Sequence, residues 1–190
     1  MGTLIQPGQL LVAGQAEGEL NQYYGYADSN ASTVTSSTYG NLSTQYTIPA
    51  GEAYAGAGYE LACGGTGTWG STQQTMTFQA IVGTSVLTMA IAAAALSASA
   101  GFYWRTLLEL ECADGVSGWW ATFSGSISVS GAPLNPGTAA DQAIALAAAN
   151  SSVHTASVSS AISVALQAKW ASTTGAPTIS NYRTSFKKVA

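Results

Sequence analysis

The chain has 190 residues, enough for one domain with a hydrophobic core, and only 7% of them are charged. An average soluble domain has about 25% charged residues, so the composition indicates either a β protein rich in small residues or a subunit covered by neighbours in an assembly. The net charge of −4, with five basic residues, argues against binding to nucleic acid or to a membrane surface.

Residues 1–45 show no regular strand pattern, and we predict an N-terminal arm with one or two short strands. The opening residues lack the basic and long apolar regions of a secretory signal, so we expect no signal peptide. Apolar and tyrosine side chains in this arm are candidates for contacts with a neighbouring protein. These candidate interface residues are Leu10, Leu11, Val12, Tyr23, Tyr24 and Tyr26.

From residue 46 onward, apolar and polar residues alternate in short runs separated by Gly, Pro and Ser clusters. Alternation with a period of two is the pattern of a half-buried strand. "YTIPAG" predicts a short strand ended by a turn, and longer strands are expected near 57–63, 73–82, 86–92, 102–113, 119–130, 161–170 and 178–189. The pattern predicts that residues 46–190 form an all-β, two-sheet antiparallel sandwich of the jelly-roll type. The residues expected in its core are Phe78, Val82, Met89, Trp104, Leu108, Leu110, Phe123, Ile127, Val164 and Leu166.

The strand at 119–130 has one apolar face, while its other face consists of Trp120 followed by Thr and Ser residues. Hydroxyl groups in place of charges suit a face that packs against another protein, where an unpaired charge would be costly to bury. Trp120 stands out on this polar face. It is a candidate interface residue, and a platform on which a sugar stacks is the alternative.

Residues 139–149 are rich in alanine and interrupt the strand pattern. The segment is compatible with a short helix capped by Thr138 or with a long connection across one end of the sandwich, and we predict a loop with at most one helical segment.

Catalytic and cofactor motifs are weak in this sequence. "GTGTWG" at 65–70 matches the spacing of a dinucleotide-binding loop, but the pattern after it predicts a strand instead of the required helix. His154 is the only histidine, and no G-x-S-x-G motif provides a nucleophile for it. Glu109 and Glu111 share the outer face of one strand with Arg105, which predicts an ion-paired surface more than a glycosidase pair.

The two cysteines, Cys63 and Cys112, fall on the apolar phase of their strands. We expect both to be buried free thiols, since nothing in the sequence indicates an oxidising compartment. Two cysteines and one histidine are too few ligands for a metal site built from these residues. We therefore expect a protein that is not an enzyme and that holds no cofactor or metal.

Several segments together resemble small jelly-roll structural proteins of tailed bacteriophages, particularly those of actinobacterial hosts. The resemblance covers residues 44–189 and rests on "YTIPAG", "QTMTFQAIVG", "FYWRTLLELECA" and "ISVALQAKWASTTGAPTISNYRTSFKKV". It implies a non-enzymatic virion component, made in the host cytoplasm and often a homotrimer, which contacts the major capsid protein or a tail protein. Because no coiled-coil, collagen-like or β-helical stalk is visible, we expect capsid decoration. A tail-fibre head that recognises host-surface glycan is the alternative.

Overall fold

The computed structural model describes residues 26–28, 32–129 and 142–189, with residues 26–28 and 142–155 described by their backbone alone. This part of the chain contains 12 β-strands, one 3-10 turn at Ala93–Ala95 and no α-helix. The all-β fold and all seven of the longer predicted strands are confirmed. The strands are β1 (Tyr26–Asp28), β2 (Ser32–Val34), β3 (Gly40–Asn41), β4 (Tyr46–Ile48), β5 (Gly58–Thr68), β6 (Met76–Val82), β7 (Ser85–Ile91), β8 (Gly101–Cys112), β9 (Gly118–Val129), β10 (Gln142–Thr155), β11 (Ile162–Trp170) and β12 (Thr178–Lys188).

The strands form two antiparallel sheets, which pack together as a sandwich. The large sheet has the order β1-β12-β5-β8-β9-β10, and β2 also pairs with β12. The small sheet has the order β3-β11-β6-β7, and β4 also pairs with β11. Buried side chains from both sheets belong to one continuous hydrophobic cluster, so the predicted two-sheet sandwich is confirmed.

Four strand pairs are nested along the chain. The innermost pair is β6 with β7, followed outward by β5 with β8, β4 with β11 and β2 with β12. Successive pairs lie alternately in the small and the large sheet, as they do when one long hairpin is wrapped around a core. β9 and β10 extend the large sheet beyond β8.

The core lies between the two sheets and includes every side chain predicted to fill it. Each of these residues has at most 4% of its surface exposed. They are Phe78, Val82, Met89, Trp104, Leu108, Leu110, Phe123, Ile127, Val164 and Leu166. Buried aromatic rings pack beside these residues, and Trp69 meets Trp170 edge-on with ring centroids 5.1 Å apart. The period-two alternation therefore identified the inner faces of β6, β7, β8, β9 and β11 correctly.

Four buried tryptophans add directional contacts to this core. Each indole Nε1 donates a hydrogen bond to a backbone carbonyl oxygen at 2.8 to 3.3 Å. A buried indole without an acceptor would lose a hydrogen bond that water supplies in the unfolded chain. Each carbonyl oxygen replaces that partner, and because the hydrogen bond is directional it also holds the ring in one position. The donors are Trp69, Trp104, Trp119 and Trp170, and their acceptors are Ala93, Ser180, Ala156 and Val34, respectively.

A β-bulge interrupts the pairing of β12 with β5 between Asn181 and Arg183. Asn181 points into the protein and is 1% exposed. Its Nδ2 donates to the carbonyl oxygen of Leu42 at 2.7 Å and to the hydroxyl of Thr184 at 2.6 Å. Its Oδ1 accepts from the backbone N–H of Gly64 at 3.3 Å and of Arg183 at 3.4 Å. One buried amide thus joins the bulge to β5 and to the segment that follows β3.

The prediction for the alanine-rich segment is wrong. Instead of a connection with at most one helical segment, residues Gln142–Thr155 form β10, which pairs antiparallel with β9. Without β10, the long strand β9 would leave a row of N–H and C=O groups unpaired at the edge of the sheet. Pairing with this edge outweighs the low strand propensity of alanine, with register shifts on both sides of Ala149.

Residues 32–45, which the sequence analysis assigned to the arm, contribute strands to both sheets. β2 pairs with β12 in the large sheet, and β3 pairs with β11 in the small sheet. Val34 and Leu42 are 4% and 1% exposed and belong to the core. These residues therefore pack as part of the sandwich, whereas residues 1–25 lie outside the described residues and the arm there stays a prediction.

Candidate functional site: the outer faces of the two sheets

The structure describes part of the predicted interface group. Trp120 lies on the outer face of β9 and is 45% exposed, whereas the adjacent Trp119 is fully buried, so the predicted orientation of this strand is confirmed. Tyr26 begins β1, whose backbone pairs with β12 at the edge of the large sheet. Its side chain is not described. The members outside the described residues are Leu10, Leu11, Val12, Tyr23 and Tyr24.

The outer face of the small sheet, which we call the uncharged face, carries hydroxyl, amide and small apolar side chains from all five strands. Lys169 is the one charged residue among its described members, and its Nζ lies 4.5 Å from the centre of the Tyr39 ring. Gln167 donates from Nε2 to Oδ1 of Asn41 at 2.7 Å and so links β11 to β3. The face consists of Asn41, Thr47, Thr77, Gln79, Ile81, Val86, Thr88, Ala90, Ser163, Gln167 and Lys169.

Most charges on the sheet faces lie on the large sheet, where the strand register arranges them in rows. One row crosses four strands through Arg183, Gly64, Arg105 and Ser126. Gly64 has no side chain to fill the space between the two arginines. A depression of about 460 Å³ lies over this row and the neighbouring small residues. We call this row the basic row; its two guanidinium groups are within reach of one anionic group.

The opposite end of the same face is acidic. Its row crosses the sheet through Lys187, Glu60, Glu109 and Thr122. Lys187 Nζ lies 2.7 Å from a carboxylate oxygen of Glu60, and both side chains are partly exposed, so this pair contributes little stability. We call this the acidic row; Glu109 lies beside Glu60 with no described cation against it.

A second depression, of about 360 Å³, opens at the acidic end of the large sheet. Glu109, Glu111 and Trp120 line it, and the register places Glu111 directly beside Trp120. An exposed indole provides a flat apolar surface, and carboxylates accept hydrogen bonds from hydroxyl groups. The arrangement therefore has the chemistry needed to hold a sugar ring.

The prediction of an outward, ion-paired surface around Arg105 is half correct. Arg105, Glu109 and Glu111 do point outward and are exposed. Among the described residues, however, the ion pair joins Lys187 to Glu60 and does not include Arg105. The cross-strand neighbours of Arg105 carry no carboxylate, and Glu109 is four residues away along an extended strand, too far for contact.

The two cysteines are free and buried, as expected. Burial raises the pKa of the Cys63 thiol to about 12, although a hydrogen bond with Thr184 lowers the pKa in part. A thiol with such a pKa is almost entirely protonated at neutral pH and is a poor nucleophile. Neither cysteine is a candidate reactive group in the folded protein.

The glycine-rich motif "GTGTWG" and His154 contribute residues to strands of the large sheet. Gly65 to Thr68 of "GTGTWG" lie in β5, and the next element is strand β6, so the helix required for a dinucleotide loop is absent there. The backbone of His154 pairs with Trp119 in the large sheet, and its side chain is not described.

Within the described ranges, no three His, Cys, Asp or Glu side chains form a group able to bind a metal ion. The same ranges contain no helix with the length and hydropathy needed to span a membrane.

A comparison of this chain with protein-family models, with curated proteins and with solved structures found no match.

Proposed function

We propose that this chain is a non-enzymatic structural protein of a bacteriophage virion that decorates the capsid. It would bind the major capsid protein and other copies of itself, and so stabilise the shell through many modest contacts. The observation that carries the proposal is the uncharged face. Eleven outward positions on five strands include a single charge, which is itself engaged with an aromatic ring.

Burial of such a face in an assembly has a small cost in desolvation free energy. Each buried unpaired charge would carry a desolvation penalty of several kcal/mol, whereas hydroxyl and amide groups can exchange water for partners on a neighbour. Val86 is 51% exposed and lies opposite Ile81 in the register, which adds apolar area to the face. A face of this composition suits permanent contact better than free solvation.

The strand order supports the same proposal. We interpret the four nested pairs, alternating between two sheets, as the wrapped hairpin of a jelly roll, with β9 and β10 as an addition to one edge. Jelly rolls occur in viral capsid domains, although fold alone does not establish function. The homotrimer rests on the family resemblance, and the capsid in place of a tail position rests on the lack of a coiled-coil, collagen-like or β-helical stalk pattern in the sequence.

The test is attachment to particles. Virions lacking the gene are incubated with labelled protein, and the label is located by electron microscopy. We expect label over the capsid for the unaltered chain, and at least tenfold lower occupancy for Gln79→Arg, which buries a charge at the centre of the uncharged face. Thr173→Arg, in an exposed loop, is the matched control and should bind normally. Label at the tail tip, or equal binding by both variants, would refute the proposal.

A glycan-binding tail protein is the second candidate function, and the depression beside Trp120 favours it. In that case Trp120→Ala should abolish binding to purified host-surface glycan and leave particle attachment unchanged. If no glycan is retained by the unaltered chain, this second candidate fails.

A further inference from the structure

The charges on the large sheet are separated along β8 instead of being paired. Arg105, Leu107 and Glu109 all point outward from this strand, each two residues from the next. Outward residues on one strand follow each other at ~6.6 Å, so Arg105 and Glu109 lie ~13 Å apart and cannot contact each other within one chain. Among the described residues, neither forms an ion pair. The face thus carries opposite unpaired charges at equal distances from Leu107.

A two-fold axis over Leu107 exchanges these positions. Two copies can be placed with their large sheets facing each other and with this axis in the plane between them, perpendicular to β8. Each Arg105 then lies opposite Glu109 of the second copy. Tyr103 and Glu111 are also equally distant from Leu107, so the phenol hydroxyl meets a carboxylate that can accept its hydrogen bond. Two-fold interfaces are self-complementary in this manner.

The neighbouring strands are compatible with the same axis. On β9, Ser126 meets Thr122 of the second copy, which places two hydroxyl groups together. On β12, Arg183 meets Lys187 of the second copy, a contact that would be repulsive for a free lysine. Lys187 is already paired with Glu60 at 2.7 Å, so Arg183 faces a pair whose charges cancel.

We propose that two copies of this chain dock through the outer faces of their large sheets, with reciprocal Arg105–Glu109 ion pairs at the two ends. A second copy is the occupant that the observations favour, because the unpaired Arg105 and Glu109 have opposite charges and lie at equal distances from Leu107. This inference uses the opposite side of the sandwich from the uncharged face and does not rest on the proposed virion function.

The contact area indicates a weak association. Four strands at ~4.8 Å spacing, over a length of ~26 Å, give ~500 Å² per copy. The total of ~1,000 Å² is at the lower limit for a specific interface. The two facing depressions, each about 460 Å³, would hold water between the copies. Binding should therefore depend on the ion pairs and weaken steeply with salt.

The experiment uses charge reversal in the full chain. R105E and E109R are prepared separately, and sedimentation velocity is measured for each variant alone and for their equimolar mixture. Each variant alone brings like charges together twice, and we expect its dissociation constant for this step to rise at least tenfold. In the mixture, the two introduced side chains, which carry opposite charges, meet each other at one end of the interface. At the other end, the unaltered Glu109 of one variant meets the unaltered Arg105 of the other. The mixture should therefore associate as the unaltered chain does.

Three controls make the result decisive. K169E reverses a charge on the uncharged face and should leave this association unchanged. Circular dichroism confirms that each variant is folded, which is expected because both positions are exposed. Raising the NaCl concentration from about 20 mM to about 500 mM should dissociate the unaltered pair. Failure of the mixture to associate would overturn the proposal, as would an unaltered chain whose sedimentation is independent of salt. Binding of inorganic sulfate at the basic row without any dimer would also overturn it.

Discussion

Asn181 offers the sharpest test of how the bulge in β12 is held. Replacement by alanine removes two donated and two accepted hydrogen bonds and leaves the hydroxyl of Ser32, at 2.6 Å, as the remaining donor to the carbonyl oxygen of Leu42. A typical intramolecular hydrogen bond contributes about 0.5–1.5 kcal/mol, and the accepted bonds, at 3.3 and 3.4 Å, are long and contribute less. We expect Asn181→Ala to lower the free energy of unfolding by about 3 kcal/mol.

Asn181→Asp keeps the shape and replaces the NH₂ group with an oxygen that faces the Leu42 carbonyl. The carboxylate is also desolvated, so its pKa in the folded state should rise above the unfolded value of about 3.9. Between these two pKa values, the folded state binds more protons than the unfolded state. The free energy of unfolding of the variant, relative to that of the original chain, therefore falls as pH rises through this window. The variant therefore loses additional stability at neutral pH, in proportion to the rise in this pKa.

The assay is urea denaturation of the original chain and both variants at about pH 7 and about pH 4. We expect Asn181→Asp to be the less stable variant at pH 7 and to regain stability relative to the original chain at pH 4, while Asn181→Ala shows no such difference. A loss below about 1 kcal/mol for alanine would show that the amide contacts are unimportant. An aspartate variant whose relative stability is independent of pH would refute the burial of its carboxylate.

Three further predictions concern separate parts of the sandwich. In urea denaturation, Trp104→Ala should lower the free energy of unfolding by about 3–5 kcal/mol because the indole is buried in the core. Trp120→Ala should change it by less than about 0.5 kcal/mol, and equal effects of the two variants would contradict the assigned faces. Three backbone N–H groups donate to Asp114 and lower its pKa, so Asp114→Ala should reduce the melting temperature at neutral pH. This difference should vanish as pH falls through the lowered pKa, since the stabilisation exists only above it; a difference that persists in acid would contradict the charged cap. Cys63 should react with a disulfide reagent only as fast as the protein unfolds, and rapid labelling of the native protein would disprove the burial of its thiol.

Alternation predicted the strands well because a strand with one buried face has apolar and polar residues at alternate positions of the sequence. β8 and β9 show this most clearly, with Leu108 and Phe123 inside and Arg105 and Trp120 outside. The pattern depends on each strand alone and needs no knowledge of its partner. Strand limits, inner faces and most of the core could therefore be predicted from the sequence.

The features that sequence reasoning missed depend on contacts between distant residues. β10 is a strand because β9 offers it a free edge, and an alanine-rich segment contains no local signal of that pairing. Asn181 is a polar residue on the same inward phase as Ile179, and the bulge after it moves the inward phase to Thr184 and Phe186, so the alternation of one part of β12 does not continue into the other. The basic row forms only when β12 and β8 flank β5, which the order of residues does not reveal.

The nested order of strand pairs has a consequence for how the chain reaches its native state. The innermost hairpin, β6 with β7, joins residues that are close in sequence, whereas the pairing of β2 with β12 brings the hydroxyl of Thr33 within 2.7 Å of that of Ser180, 147 positions away. Closing such a long loop costs entropy before any contact compensates it, and folds dominated by distant contacts form slowly, in milliseconds to seconds. We expect the hairpin to form early and β1 and β2 to dock on β12 last. These two strands should then be the first to exchange amide hydrogens, and β12 would present a bare edge to other chains until their docking is complete.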